Sequence, residues 1–286
     1  MPELPEVEAL VRFLDERTSG RVVAAVEIGA ISALKTFAPP PSALVGTTVT
    51  GATRHGKWID VCTDGPHLVL HLSRAGWLRW YDAVPATAVR PGRSPIALRV
   101  RLDDGSGFDL TEAGTRKRLA VHVVEDPAAV PMIASLGVDP LGPEFTVERL
   151  AELTQVKNQQ VKGMLRDQHI IAGIGNAYSD EILHTARMSP YTLSRSLKAE
   201  DVARLHTVIR DVLTQALEAS AGRPAAELKD AKRRGMQVHG RSGETCPVCG
   251  DVVREVSFAD SALQYCPTCQ TSGRPLADRR MSRLLR

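Results

Sequence analysis

The chain has 286 residues, 43% of them hydrophobic, and a formal net charge of +3; that is enough apolar material for a real core, and the length predicts about two domains. The longest apolar runs, such as Leu68 to Leu70 and Ile170 to Ile174, fall far short of the roughly 20 residues a membrane-spanning helix needs, which excludes a helical membrane protein. The opening residues MPELPEVE carry no basic start, apolar stretch or small-residue cleavage site, so a soluble cytoplasmic protein is expected. Charge is unevenly spread: residues 223–286 hold 12 Lys+Arg against 7 Asp+Glu, and the other 222 residues hold 24 against 26. A basic C-terminal quarter suits a polyanionic partner, although a solvated basic tail gives the same count.

Between Pro5 and Arg17, Val7, Leu10, Val11 and Leu14 recur at helical spacing with Glu8, Arg12, Asp15 and Glu16 on the other face, which predicts an opening amphipathic helix. Pro5 suits its first turn, and Ser19-Gly20 ends it. Short β-branched or alternating runs follow at Val22 to Ile28, Trp58 to Cys62, His67 to Leu72, Ile96 to Leu102 and Leu119 to Val124, separated by Gly, Pro and Asp-Gly turns. They predict a sandwich or barrel of strands. Gly137-Val-Asp-Pro-Leu-Gly-Pro143 is dense in turn formers and reads as a hinge. Beyond it Thr146 to Leu153, Asn158 to Asp167, Ala177 to Ala186 and Ala199 to Ala219 read as helices, the last with a stripe of Val202, Leu205, Ile209, Val212, Ala216 and Leu217. Four of the five cysteines and a basic tail, Arg274 to Arg286, close the chain.

Cys246-Pro-Val-Cys249 and Cys266-Pro-Thr-Cys269 are two C-x2-C pairs separated by 16 residues. In a chain without export signals they read as one tetrahedral Zn2+ site on a β-hairpin, against the plainer reading of unrelated thiols. Four thiolates leave no open position, so the zinc is expected to be structural. Gly173-Ile-Gly175-Asn176 sits between two helical segments, where a helix start can receive a phosphate; an ordinary glycine turn has the same pattern. Glu3 and Glu6 are spaced to share a helix face. Capping of a helix N-terminus explains such a pair equally well. What alters the weighting is Pro2, because removal of Met1 before a small residue leaves a secondary amine beside two carboxylates. Near neutral pH a fraction of such an amine is unprotonated. Its attack on a sugar C1′ with ring opening gives an iminium that is cationic without a proton, from which β-elimination of the 3′ phosphate follows. A neighbouring Glu can supply the acid and base steps.

Three segments, MPELPEVE at the start, Asp167-Gln-His-Ile-Ile-Ala-Gly-Ile-Gly-Asn-Ala-Tyr-Ser-Asp-Glu181, and His239-Gly-Arg-Ser-Gly-Glu-Thr-Cys246 running into the cysteine hairpin, resemble the formamidopyrimidine-DNA glycosylase / endonuclease VIII family in order and spacing. The resemblance implies an α+β multidomain fold: an N-terminal catalytic β-sandwich with an N-terminal helix (1–135), a hinge (136–148), a helix–two-turn–helix DNA-binding domain (149–240), a zinc hairpin (241–273) and a basic tail (274–286). It implies Pro2 as Schiff-base nucleophile, Glu3 as acid/base and Glu6 as a supporting carboxylate. Lys57, within His55-Gly-Lys57-Trp58 and counted with the catalytic residues, and Asn176 would contact lesion phosphates, with Arg241 a further DNA contact and Cys246, Cys249, Cys266 and Cys269 the zinc ligands. Alone, Lys57 reads equally as a solvated strand residue. The implied activity is base-excision repair by a bifunctional glycosylase and abasic-site lyase, acting as a nucleoid-associated monomer on damaged DNA.

The chain departs from the family in three places. Ser261 stands where the hairpin of the family carries a phosphate-gripping arginine, and Arg254 or the basic tail would have to replace it. His71-Leu-Ser-Arg74 replaces His-Leu-Gly-Met, and Thr111-Glu-Ala-Gly-Thr-Arg-Lys-Arg118 replaces Asp-Pro-Arg-Arg/Lys-Phe-Gly of the formamidopyrimidine branch. The stretch Gly222 to Gln237 is shorter than the loop with which that branch covers an oxidised purine, and it reads as a basic helix. These features place the expectation nearer the endonuclease VIII side. Oxidised pyrimidines, abasic sites and single-stranded or bubble DNA are then favoured over 8-oxoguanine, with Arg74 as the side chain that fills the vacated stack. The competing readings are a damaged-DNA-binding protein of the same fold without catalysis, and a zinc-ribbon interaction protein.

Overall fold

The computed structural model describes residues 1–92, 95–115, 117–258 and 262–277, in two compact units: Met1–Leu136 with Ser220–Lys229, and Gly137–Ala219 with Asp230 onward. In the first unit α1 (Leu4–Thr18) buries Val7, Leu10, Val11 and Leu14, the stripe expected from spacing. It stops at Ser19 because Gly20 turns the chain at φ 79°.

Eight strands follow, β1 (Val23–Ile28), β2 (Val49–His55), β3 (Trp58–Thr63), β4 (His67–His71), β5 (Gly76–Tyr81), β6 (Ile96–Leu102), β7 (Gly107–Glu112) and β8 (Ala120–Val124). They form two antiparallel sheets ordered β1-β6-β7-β5 and β2-β3-β4-β8. The expected sandwich is present, but β2, β5 and β7 were not legible. Each contains glycine or charged residues that blur the period of two. Gly107 opens β7 at φ 156°, and a side chain there would lie 2.1 Å from the Val100 carbonyl oxygen. Between the sheets and α1 lies one core, with Leu10, Leu14, Ile59, Leu70, Leu98, Phe108 and Leu110 each 1% exposed or less. A fully buried side chain of this kind contributes about 1.5–3 kcal/mol relative to exposure. The other face of the second sheet carries Trp58, Val69, Ala120 and Val124, packed with Val130 ahead of α2 (Pro131–Ala134).

The segment Ser220–Lys229, which the sequence groups with the helices, returns to this unit. Trp77 Nε1 donates to the Ala225 carbonyl at 3.1 Å, Lys229 Nζ lies 4.4 Å from the Trp77 ring centroid, and Leu228 is fully buried in the same core.

The second unit contains α3 (Val147–Val156), α4 (Val161–Arg166), α5 (Asn176–Thr185), α6 (Ala199–Ser220), α7 (Leu228–Gly235), whose first two residues pack in the first unit, the hairpin β9 (Arg254–Ser257) and β10 (Ala262–Tyr265), and α8 (Pro267–Thr271). Helix α4 begins later than Asn158 because Gln159 and Gln160 are engaged with the backbone of Leu193 and Ser194. On α6 the buried line runs through Val202, Leu205, Ile209 and Leu213. Val212, Ala216 and Leu217 are only half-buried. The stripe drifts by about one residue over five turns, which a strict i, i+3, i+4 reading does not anticipate. No helix among the described residues is long and apolar enough to cross a membrane.

Candidate active site and zinc module

At the N-terminus Pro2, Glu3 and Glu6 are all buried, the two carboxylates to 2% and 1% exposure, while Met1 is 47% exposed. Glu3 is the N-cap of α1, in extended conformation (φ −118°, ψ −175°), and its backbone N–H donates to Glu6 Oε2 at 2.8 Å. This is a capping-box arrangement. Helix capping and a carboxylate pair beside Pro2 were alternatives in the sequence; in the structure the cap itself fixes the backbone between Pro2 and Glu3. Pro2 thus directly precedes the capped first turn of α1, which carries both buried carboxylates.

Lys57 does not lie on a strand. It occupies the β2–β3 turn after Gly56 (φ 57°) and is 8% exposed. Trp58 pairs across the sheet with His71, their rings 4.6 Å apart, and His122 stands 5.5 Å from the same indole. Burial, with the charges of Lys57 and His122 adding to it, pushes the His71 imidazole down to about 4. A cationic ammonium beside a neutral imidazole is an arrangement suited to an anion, the one by charge and the other as a donor. In the sequence His71 carries no signal of its own; its burial beside Lys57 is a product of strand pairing.

Arg74 is exposed at the tip of the β4–β5 loop, one strand away from the Lys57 turn. Ser73 before it is buried at φ 52°, a left-handed conformation that glycine adopts without strain. The loop closes where Gly76 N–H meets the Leu72 carbonyl at 2.8 Å, and a side chain on Gly76 would lie 2.2 Å from that oxygen. In the divergent stretch Thr111 to Arg118, Glu112 folds the chain back by accepting the N–H groups of Arg118 and Leu119 at 2.7 and 3.0 Å. Arg116 lies outside the described residues, as do Ser261 and 278–286 of the tail.

Asn176, Arg241 and the cysteines belong to the second unit. Asn176 is the first residue of α5, after Gly173 at φ 91°, and Gln168 pins that turn through Gly173 N–H (2.9 Å) and the Ile174 carbonyl (2.8 Å). Its Nδ2 donates to the Ala262 carbonyl at 2.7 Å, while its Oδ1 is buried with no hydrogen-bond partner among the described residues. Arg241 stays partly exposed on its loop, with Nε on Glu244 at 2.9 Å and Nη1 on the Met236 carbonyl at 3.1 Å.

A buried network behind Asn176 escaped the sequence reading. Lys162 Nζ reaches Asp180 Oδ1 (2.5 Å), Ser179 Oγ (2.8 Å) and the Asn176 carbonyl (3.3 Å), with Lys162 5% and Asp180 1% exposed. Asp180 Oδ2 takes His239 Nδ1 at 2.7 Å, and Glu181 accepts the N–H groups of Gln237, Val238 and His239 at 2.8, 3.0 and 2.8 Å. Burial pushes the Glu181 carboxyl up, against the pull of those three N–H groups. The second and third sequence motifs are thus the two halves of one joint.

The four hairpin cysteines converge. Cys246 and Cys269 sulfurs are 3.9 Å apart and Cys249 and Cys266 sulfurs 3.3 Å. Tetrahedral zinc thiolates should stand about 3.8 Å apart, from a Zn–S bond of roughly 2.3 Å, so the set fits a zinc ion. Without a cation the thiolate form is disfavoured at two of the four: burial and neighbouring sulfurs push Cys269 up, and burial drives Cys266 up to about 11. A dication reverses that cost. His184, also missed, is 2% exposed and brings Nε2 to 3.3 Å from Cys246 Sγ; burial holds its imidazole below the ordinary range. With Cys246, Cys266 and Cys269 it forms a compact set of potential ligand atoms. It tethers α5 to the zinc module from the rear.

Three family profiles cover most of the chain: the formamidopyrimidine-DNA glycosylase N-terminal domain over residues 1–121, the H2TH domain of the same enzymes over 136–226, and the zinc finger found in FPG and IleRS over 243–271. An uncharacterized formamidopyrimidine-DNA glycosylase-like protein of Mycobacterium tuberculosis is 51% identical over 159 residues, 56% of this chain and 99% of that protein. The formamidopyrimidine-DNA glycosylase of Symbiobacterium thermophilum is 36% identical over 282 residues, covering 94% of this chain and 89% of the relative. Among solved structures, the Lactococcus lactis formamidopyrimidine-DNA glycosylase bound non-covalently to DNA containing an AP site superposes with a TM-score of 0.80 at 25% identity, over 94% of this chain and 99% of the other. With the sandwich, the helical unit and the four-cysteine hairpin in the same order, the chain belongs to the formamidopyrimidine-DNA glycosylase family, and its hairpin is the structural zinc module of that family.

Proposed function

We propose that this DNA glycosylase excises oxidised bases in base-excision repair and then cleaves the strand as a lyase, with Pro2 as the attacking amine. The observation that carries the reading is the Glu3 N–H to Glu6 bond at 2.8 Å, which fixes the backbone directly after Pro2 in a segment where Pro2, Glu3 and Glu6 are all buried. Once Met1 is removed, the Pro2 nitrogen attacks C1′ of the damaged nucleoside, the base departs, and Glu3 protonates the opening sugar ring. The resulting iminium withdraws electrons from C2′; loss of that proton expels the 3′ phosphate, and water regenerates the amine. Glu6 acts by orienting Glu3. Lys57 and the neutral His71 beside it are assigned to a phosphate flanking the lesion, as are the start of α5 at Asn176 and, more weakly, Arg241, whose guanidinium is partly engaged.

For substrate, oxidised pyrimidines and abasic sites are favoured over 8-oxoguanine, with single-stranded or bubble DNA also accepted. Two features support this. Arg74 stands at the tip of a tightly closed loop, where its guanidinium can stack in the gap left by a flipped nucleotide. Residues 220–229 are packed against Trp77 and the sandwich core, so that stretch is committed to structure and does not form a long cover for a purine.

Borohydride reduction in the presence of abasic-site DNA should yield a covalent protein–DNA adduct. Absence of the adduct, or its persistence in a Pro2→Gly/Glu3→Gln variant, would sink the lyase assignment. A non-catalytic damage binder would instead bind lesion DNA in a salt-sensitive way without adduct or scission.

A further inference from the structure

The outer face of the β2-β3-β4-β8 sheet carries a second cluster of ligand-type side chains, on a different unit from the cysteine hairpin. Along β3 the residues Ile59 and Val61 point into the core, so Asp60 and Cys62 point the other way. Thr53 and His55 on β2 and His67 on β4 flank them. Asp60 is 1% exposed; its two histidine neighbours and Cys62 are half-buried, which leaves one side of the cluster open to solvent.

The distances around a single oxygen are informative. Asp60 Oδ2 stands 3.2 Å from His67 Nδ1, 3.3 Å from His55 Nε2, 3.3 Å from Thr53 Oγ1 and 3.7 Å from Cys62 Sγ. A carboxylate oxygen offers about two lone-pair sites, and hydrogen bonds to it from charged donors run near 2.7–2.9 Å. Only the His67 Nδ1 bond to the other oxygen, Oδ1, has that length, at 2.9 Å. Four groups crowding Oδ2 at longer range make a poor hydrogen-bond arrangement. The same spacings match edges of a tetrahedral coordination shell, which from zinc bond lengths should be about 3.4 Å for N···O and about 3.6 Å for S···O. The ligand atoms of Asp60, Cys62 and His67 all lie within 4.8 Å of one another, and His55 Nε2, outside that set, reaches it at Asp60 Oδ2, 3.3 Å away.

We propose that Asp60, Cys62 and His67, with His55 as the fourth donor, form a second divalent transition-metal site on the sandwich, suited to a borderline-soft ion of the zinc class. Mixed thiolate, imidazole and carboxylate donors select such an ion over calcium or magnesium, which take oxygen. Binding releases the thiol proton of Cys62 and leaves both imidazoles neutral. The Asp60 carboxylate and the Cys62 thiolate neutralise the dication. Because the donors come from three adjacent strands and His55 precedes Lys57 by two residues, the ion ties the Lys57 turn to the sheet.

The test uses the full-length protein with its hairpin zinc in place, titrated under reducing conditions with Zn2+ and separately with Co2+. The expected result is a second bound equivalent, a thiolate-to-cobalt charge-transfer band, and slower alkylation of Cys62 in the presence of Zn2+. Cys62→Ser should abolish the band, and both Cys62→Ser and His67→Gln should weaken the second equivalent at least tenfold, while the hairpin equivalent is retained. The two substituted side chains are half-buried, so folding is checked by circular dichroism on the same samples. No second equivalent below about 1 mM metal, an affinity limit of roughly 4 kcal/mol, would overturn the site. So would unchanged affinity in either folded variant; Asp60 would then be a carboxylate paired to histidines and nothing more.

Discussion

In the N-terminal unit the candidate groups Pro2, Glu3 and Glu6 lie within the first six residues and are fixed by a local capping box, three residues in span. In the second unit the order around Asn176 comes from Lys162, Asp180, Glu181 and His239, whose contacts span 14 to 59 residues and are buried except at the half-buried His239. The difference shows two ways of holding a functional group still. A helix cap is cheap to encode and tolerant of change elsewhere, since it needs only its own turn. A buried charged joint positions distant segments but fails abruptly when one member is lost. The proposed chemistry therefore rests on a locally encoded element, and the helix start proposed to meet DNA rests on a globally encoded one.

The largest effect is expected at the joint. Asp180→Ala leaves the Lys162 ammonium buried and strips His239 of its acceptor, which should cost about 3–5 kcal/mol. Urea denaturation of the full chain reads this as a lower midpoint, and abasic-site binding should weaken in parallel while the N-terminal unit keeps its circular dichroism. Exchanging both partners, Lys162→Met with Asp180→Leu, should recover much of the stability, because an apolar pair of similar size carries no desolvation penalty. A loss below about 1 kcal/mol in Asp180→Ala would mean that the two units are held in the same way after all.

How much of this was readable beforehand follows the same division. The cap could be anticipated from Glu3 and Glu6 at i, i+3, the stripe of α1 from Val7, Leu10, Val11 and Leu14, and the zinc set from two C-x2-C pairs. Each is a pattern within a few residues. Lys162, Asp180 and His184 carry no such pattern, since a charged residue on a helix reads as solvent-facing until its partner on another segment is known. Strand β7 was hidden for a related reason: Asp109 looks like a turn residue, yet it is fully buried in a bidentate pair with Arg99, at 2.7 and 2.8 Å. The role of residues 220–229 was likewise invisible, because it depends on Trp77, about 150 positions away in the chain.

An intermediate effect is expected at His71, where acid sharpens the contrast. Its folded imidazole is depressed to about 4 by burial and then by Lys57, against an unfolded value near 6.5. Above the unfolded value neither state holds the proton, and the group is neutral with respect to stability. As pH falls from about 6.5 towards 4, the unfolded chain takes up a proton that the folded chain refuses, so stability declines by about 3 kcal/mol and then levels off. In His71→Gln this part of the acid dependence should vanish, as seen in the difference between urea midpoints at pH 7 and pH 4. Lys57→Gln should move the His71 titration upward in nuclear magnetic resonance. If it does not move, the two side chains do not share an electrostatic environment, and their joint assignment to a phosphate weakens.

The smallest effect is expected at the cap itself. Glu6→Ala leaves the Glu3 N–H buried without its acceptor and should cost about 1–2 kcal/mol. Glu6→Gln keeps an oxygen at the same place and should lie close to the parent in stability. Borohydride trapping then separates two roles for the carboxylate. If Glu6 only orients Glu3, the Gln variant traps abasic DNA at nearly the parental rate and the Ala variant slows, because the backbone between Pro2 and Glu3 is loosened. If its charge takes part in moving a proton, both variants slow alike while only Ala loses stability. The first outcome keeps the N-terminal unit as a case of local positioning. The second makes the cap and the chemistry a single carboxylate pair, and the simple contrast with the buried joint no longer holds.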